Sequence, residues 1–201
     1  DLFLRDAAEY SYGIRILNQD KWEMLISFIV SQRKSIPAIK SSVEKLARSY
    51  GRKIECEIPD FIKNIDRSME FYTFPTYKEM ANADIEGLNS CSLGYRSSYI
   101  LDTVRCVNQK EIDLNEWQAL GDGELLNALM SLKGVGIKVA NCVALFGYHR
   151  IAAFPIDVWI KRMIDENYAG EFPLDLYKGY AGIIQQYIFF YGRESAKHSG
   201  N

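Results

Sequence analysis

Histidine is nearly absent from this sequence. His149 and His198 are the only two in 201 residues, and neither has a second donor at metal-ligand spacing. No zinc site built from side chains is expected, and His149-Arg150 reads as a solvated loop pair. Cysteine is sparse too. Cys56, Cys91, Cys106 and Cys142 lack both metal spacing and the framework of a secreted disulfide scaffold, which suits a reducing, intracellular compartment. No apolar run is long enough to cross a bilayer and no secretory signal pattern opens the chain, so no membrane partner is expected. Positive charge is not in excess: the net charge is −2 and the pI about 5.8, which argues against indiscriminate coating of nucleic acid. Solenoid repeats and low-complexity segments are missing. The chain starts at Asp1 rather than Met, as a piece of a longer protein would. What is present is 48% hydrophobic residues, enough for one compact unit or two small lobes around a cleft.

The apolar pattern is almost entirely helical. Asp20 is placed to cap a largely buried helix over Lys21–Val30, with Trp22, Leu25, Ile26, Phe28 and Ile29 inward. After Ile36-Pro37 an amphipathic helix carries Ile39, Val43 and Leu46 on one face and stops at Tyr50-Gly51. Pro59 and Pro75 break residues 51–75 into a connector with room for one short hairpin. Thr76 and Glu79 form a capping box, Thr-x-x-Glu, for a helix. A short helix is expected after Ala83-Asp84, another over Ser97–Asn108, two more within 113–130, and the last three over 137–147, 158–167 and 176–192. The fold class read from this is all-α.

The densest chemistry lies between Leu132 and Asp157. Leu132-Lys133-Gly134-Val135-Gly136-Ile137-Lys138 places two glycines in a tight turn at a helix start, where exposed N–H groups can receive a phosphate. Gly-x-Gly between helices is also often a plain connector. Lys138 sits in the first helical turn, a poor place for a cation without a role because the helix dipole repels it. Asp157 is a good N-cap for the helix that follows, and capping does not exclude catalysis.

Together, Leu-x-Gly-Val-Gly-x-Lys and Phe154-Pro155-Ile156-Asp157-Val158-Trp159 resemble the helix-hairpin-helix, Gly/Pro-rich loop and aspartate signature of the base-excision DNA glycosylase superfamily. Three more segments resemble its 8-oxoguanine branch: Ser27-Phe28-Ile29-Val30-Ser31-Gln32, Leu93-Gly94-Tyr95-Arg96-Ser97-Ser98-Tyr99, and Tyr180 through Phe189. The resemblance runs from about Glu9 to Arg193. It implies a two-lobed helix-hairpin-helix glycosylase fold with the active-site cleft between lobes: a helical lobe over about 20–132, and a hairpin lobe over about 125–170 joined by the terminal segments 1–20 and 171–201. The β domain that precedes this region in relatives is absent from the sequence. No cysteine follows Cys142, so the four-cysteine iron–sulfur loop of the endonuclease III and adenine glycosylase branches is absent as well, and no cofactor is expected.

The resemblance also implies roles. Lys138 would be the Schiff-base nucleophile; free lysine has a pKa of about 10.4, so it must be made neutral to attack. Asp157 would stabilise the cationic sugar as the base leaves. Phe189, Gln185 and Cys142 would line the damaged-base pocket. Phe189 lies among Tyr187, Ile188, Phe190 and Tyr191 and taken alone reads as core. Tyr95 and Arg96 would wedge beside and hold the orphaned base; the alternative is a core tyrosine and a surface arginine. Gly134, Gly136, Lys133 and Lys161 would meet phosphates, and hairpin carbonyls would offer a monovalent-cation site. The implied partner is duplex DNA carrying a damaged base or an abasic site, met by a monomer inside the cell where the DNA is. Departures from the pattern are Arg33 where relatives commonly have an orphan-base asparagine, Ala38 for an arginine, and Trp159 for a histidine, so strict selection of cytosine opposite the lesion is not implied. Two other functions remain at this point: a glycosylase of the same fold for alkylated bases, which typically lacks the lysine, and a non-catalytic DNA-binding module.

Overall fold

The computed structural model describes residues 1–55 and 69–198. Cys56, Pro59 and the middle of the 51–75 connector lie outside the described residues, as does the side chain of His198. In chain order the elements are α1 (Leu2–Tyr10), α2 (Lys21–Ser31), α3 (Ile36–Tyr50), β1 (Lys53–Ile54), β2 (Phe71–Tyr72), α4 (Ile85–Ser90), α5 (Arg96–Asn108), α6 (Asp122–Met130), α7 (Ile137–Phe146), α8 (Val158–Tyr168) and α9 (Ala181–His198). Short 3₁₀ turns sit at Glu116–Ala119 and Leu174–Tyr177. The two strands form the expected small hairpin, antiparallel with Lys53 opposite Tyr72 and Ile54 opposite Phe71. Among the described residues no helix is long and apolar enough to cross a membrane.

The helix starts follow from local chemistry. A helix begins with unpaired N–H groups, and an aspartate before it can accept one of them for about 1 kcal/mol. Asp20 accepts from Glu23 N at 2.9 Å, Asp84 from Gly87 N at 2.7 Å and Asp157 from Ile160 N at 2.8 Å. Pro37 opens α3 where a missing N–H costs nothing. Gly51 ends α3 because nothing larger fits: an added Cβ would lie 2.0 Å from the Thr73 carbonyl oxygen.

The chain divides into two compact units. One comprises Asp1–Leu25, Asn115–Ser131 and Val135–Asn201; the other comprises Ile26–Leu114 and Leu132–Gly134. In the first, α6 packs on α7, and α9 packs on both α1 and α8. Its core gathers Phe154, Ile160, Met163, Ile164, Ala181 and Ile188, with the aromatics Phe3, Tyr168, Phe172 and Tyr177 packed against it. In the second, Ile26, Ile29, Leu46, Leu88, Leu93 and Ile100 are fully buried.

Two expectations change. The Thr76–Glu79 capping box forms, with Thr76 N donating to Glu79 Oε2 at 2.8 Å and Glu79 N to Thr76 Oγ1 at 3.2 Å. The residues after it remain turns, because Asp84 begins a new helix before a regular one can extend. The last helix starts at Ala181, because Gly179 at φ 89° breaks it from the 3₁₀ turn before it.

Candidate active site

The hairpin connecting α6 to α7 uses its two glycines for different reasons. Gly134 has φ 81°, and a Cβ there would fall 2.1 Å from Tyr99 Cδ2, so the ring of Tyr99 packs directly against its backbone. Gly136 is the N-cap of α7 in an extended conformation, and a Cβ there would meet nothing within 4 Å. The fold therefore requires the first glycine and leaves open space at the second. No side chain caps α7 and no acid lies in its first turn, so its positive end is free to meet an anion. The pair makes a clean test. Gly134→Ala is expected to cost about 2–4 kcal/mol, from a left-handed Ala plus the overlap with Tyr99. Gly136→Ala should leave the urea midpoint nearly unchanged yet weaken binding to duplex DNA. Equal loss of stability in both would show that the second glycine serves only the turn.

Gln32, at the end of α2, holds this turn. Its Nε2 donates to the Gly134 carbonyl at 3.1 Å and to the Ile29 carbonyl at 3.2 Å. Its own carbonyl accepts from Arg96 Nη2. The Arg96 guanidinium stacks on the Tyr95 ring, 4.4 Å from its centre, and Tyr95 meets Tyr99 edge-on at 5.7 Å. Tyr99 lies against Gly134, which closes a ring of five contacts. Tyr95 is half exposed, whereas Arg96 is only 6% exposed and spends its Nη1 on the Leu93 carbonyl at 3.1 Å. This reverses the sequence alternative of a core tyrosine and a surface arginine. Tyr95 is the side chain available to a ligand, and Arg96 braces it from below. Arg33 is exposed at the α2–α3 turn with φ 48°, a conformation that favours asparagine over arginine.

In the first unit, Lys138, Cys142 and Asp157 share one electrostatic neighbourhood. Lys138 is half-buried in the first turn of α7, and Cys142 is buried one turn further on. Burial pushes the Cys142 thiol up to about 11; the Lys138 charge and its hydrogen bond to the sulfur pull it down, and the Asp157 carboxylate raises it again. Asp157 is half-buried, and its cap on α8 engages Oδ1. The thiol is thus neutral at physiological pH. Above the ordinary value near 9 the unfolded chain releases a proton that the folded chain keeps, so stability falls as pH rises from about 9 to about 11. The expected slope is at most about 1.4 kcal/mol per pH unit, and it should vanish in Cys142→Ala when urea midpoints of the two proteins are compared across that range.

Gln185 is 3% exposed. Its Nε2 donates to the Pro155 carbonyl at 3.0 Å, and its Oε1 accepts from Gln186 Nε2 at 2.6 Å. It therefore ties α9 to the loop that delivers Asp157, a positioning role that sequence did not show. Phe189, one turn along, is half-buried and packs against the α8–α9 core. Lys133 is exposed beside the hairpin turn, and Lys161 is exposed but paired with Asp165 one turn away. Among the described residues no three His, Cys, Asp or Glu side chains gather to hold a metal.

An open helix start in a hairpin, followed by an amine, a thiol and a carboxylate in one unit, is a helix-hairpin-helix arrangement. The chain belongs to the family described as HhH-GPD superfamily base excision DNA repair protein, whose model matches residues 26–171. It is 29% identical to a probable N-glycosylase/DNA lyase of Methanothermobacter thermautotrophicus, over 92% of this chain and 65% of that protein. It is 35% identical to the N-glycosylase/DNA lyase of Saccharomyces cerevisiae, over 78% of this chain and 42% of that one. The chain thus spans less than two thirds of these relatives. Among solved structures it is similar to the Clostridium acetobutylicum 8-oxoguanine glycosylase/lyase bound to double-stranded DNA with cytosine opposite 8-oxoG, with TM-score 0.87 and 31% identity, covering 98% of this chain and 67% of that one. The mostly helical architecture is the one shared by these structures.

Proposed function

We propose that this chain is a DNA glycosylase with abasic-site lyase activity, removing an oxidised purine, 8-oxoguanine first, from duplex DNA. The observation that carries this reading is the gathering of Lys138, Cys142 and Asp157 beside the open start of α7. The glycosidic bond is out of reach inside a stacked duplex, so the target nucleotide is turned out of the helix. The amide groups at Gly136 and the start of α7 grip a phosphate of the lesion strand, with Gly134 shaping the turn and Lys133 and Lys161 adding charge. Phe189 offers a face for the extruded base, with Gln185 and Cys142 around it, while Tyr95, backed by Arg96, and Arg33 occupy the gap and meet the orphaned partner.

The Lys138 amine attacks C1′, and the base leaves with the glycosidic electron pair and takes up a proton. The sugar ring opens to an imine on Lys138 Nζ. Loss of a C2′ proton then expels the 3′ phosphate, cleaving the strand, and water releases the lysine. Asp157 stabilises the positive charge that develops on the sugar. Borohydride trapping tests the reading: the protein should become covalently linked to a duplex with one 8-oxoguanine opposite cytosine, and to one with an abasic site. A trapped adduct only with the abasic duplex would move the proposal to another lesion, and no adduct with either would end it.

A further inference from the structure

Three cationic side chains in the second unit meet around one loop without a carboxylate. Lys34 Nζ lies 2.6 Å from both Ser42 Oγ and the Ser92 carbonyl oxygen. Lys45 Nζ lies 2.7 Å from Ser92 Oγ. Arg96 is close enough that its charge, with that of Lys45 and with burial as the largest cause, holds Lys34 below the ordinary lysine range. Arg96 Nε is buried with no hydrogen-bond partner. Other lysines of this protein, Lys40, Lys53, Lys161 and Lys178, have carboxylate partners. Among the described residues none of the three has one. A chain of net charge −2 has acids to spare, so crowding like charges here is unfavourable unless something anionic joins them.

The donors left over define the ligand. An ammonium has three N–H groups. Lys34 uses two on Ser42 and Ser92, and Lys45 uses one on Ser92, which leaves donors on both for a shared oxyanion. The loop places that oxyanion: Lys34 follows Arg33 directly, and Ser92 lies just before Tyr95, and Arg33 and Tyr95 are the residues assigned above to the orphaned base. We propose that Lys34 and Lys45, on either side of Ser92, bind a backbone phosphate of the DNA strand opposite the lesion. This rests on the DNA-repair reading and adds a grip on the undamaged strand to the hairpin's grip on the damaged one.

The test is the salt dependence of duplex binding, which counts phosphates neutralised and needs no catalysis. With an undamaged duplex, the slope of log K against log salt should fall by about one unit in Lys34→Gln/Lys45→Gln. Lys34→Arg/Lys45→Arg, which keeps both charges, should restore it. In the unaltered protein, single uncharged methylphosphonate linkages placed along the strand opposite an abasic-site analogue should weaken binding at one position near the orphaned base, and that position should have no effect in the Gln variant. An unchanged slope in the Gln variant, with an unchanged melting temperature, would overturn the proposal. So would a sensitive linkage shared with the Gln variant, or one found only on the lesion strand. Absence of any salt-dependent duplex binding by the unaltered protein would instead remove the DNA reading itself. Should the Gln variant fail to fold, the linkage scan compared between the unaltered protein and the Arg variant still decides, since a sensitive position must appear on the opposite strand in both.

Discussion

Lys138→Gln should hold duplex DNA and leave it uncut. The substitution removes the nitrogen that forms the imine, so the borohydride-trapped adduct should vanish and strand cleavage should fall by at least about a thousandfold, as expected when a covalent nucleophile is deleted. Binding should change little, because the phosphate grip assigned to this region comes from main-chain N–H groups at the start of α7 and from a turn held by Gln32 and Tyr99. Glutamine is also a good helix former, so α7 should persist. A second signature should follow from the neighbourhood: without the Lys138 cation, the Cys142 thiol loses what holds it down and should titrate higher still. Retained adduct formation in the variant would assign the nucleophile elsewhere.

The second large effect is expected at Asp157, and two substitutions separate its two duties. Asn caps helices as well as Asp does, so Asp157→Asn should keep the bond to Ile160 N and the stability that goes with it. It removes the negative charge assigned above to the developing sugar cation, and base release should slow by about 100- to 1,000-fold, the range seen when one preorganised electrostatic group is deleted. Asp157→Ala should show the same chemical loss and, in addition, about 1 kcal/mol lower stability. Single-turnover base release alongside urea unfolding reads both. If Asn were as active as Asp, the carboxylate would be a cap and nothing more.

What was legible in the sequence was mainly local. Caps at Asp20 and Asp157 involve residues three apart, and the structure makes both of them. The glycine pair was legible as a turn, but the contrast between its members was not, because it depends on Tyr99 lying against Gly134 and on nothing lying against Gly136. The bond from Gln32 to Gly134 joins residues 102 positions apart, and no periodicity reports it. Arg96 shows the same limit: an arginine at a helix start reads as solvated, and only the carbonyls of Gln32 and Leu93 explain how it is buried. The start of the last helix is hidden in the sequence, because the apolar pattern continues through residues 176–180 while Gly179 turns the backbone away. The lysine cluster around Ser92 was invisible for a further reason: Lys34, Lys45 and Ser92 are distant in sequence, and each alone is an ordinary surface residue.

The ring through Gln32, Gly134, Tyr99, Tyr95 and Arg96 has a consequence for how such a protein can change over generations. Each member touches two others, so a substitution at one alters the surroundings of a pair rather than a single neighbour. Residues in such direct contact depart from additivity by about 0.5–3 kcal/mol. Variants at these five positions should therefore be inherited as a block: single changes purged, compensated combinations retained. Drift at the half-exposed Tyr95 is then paced by what the turn at Gly134, packed against Tyr99, will tolerate.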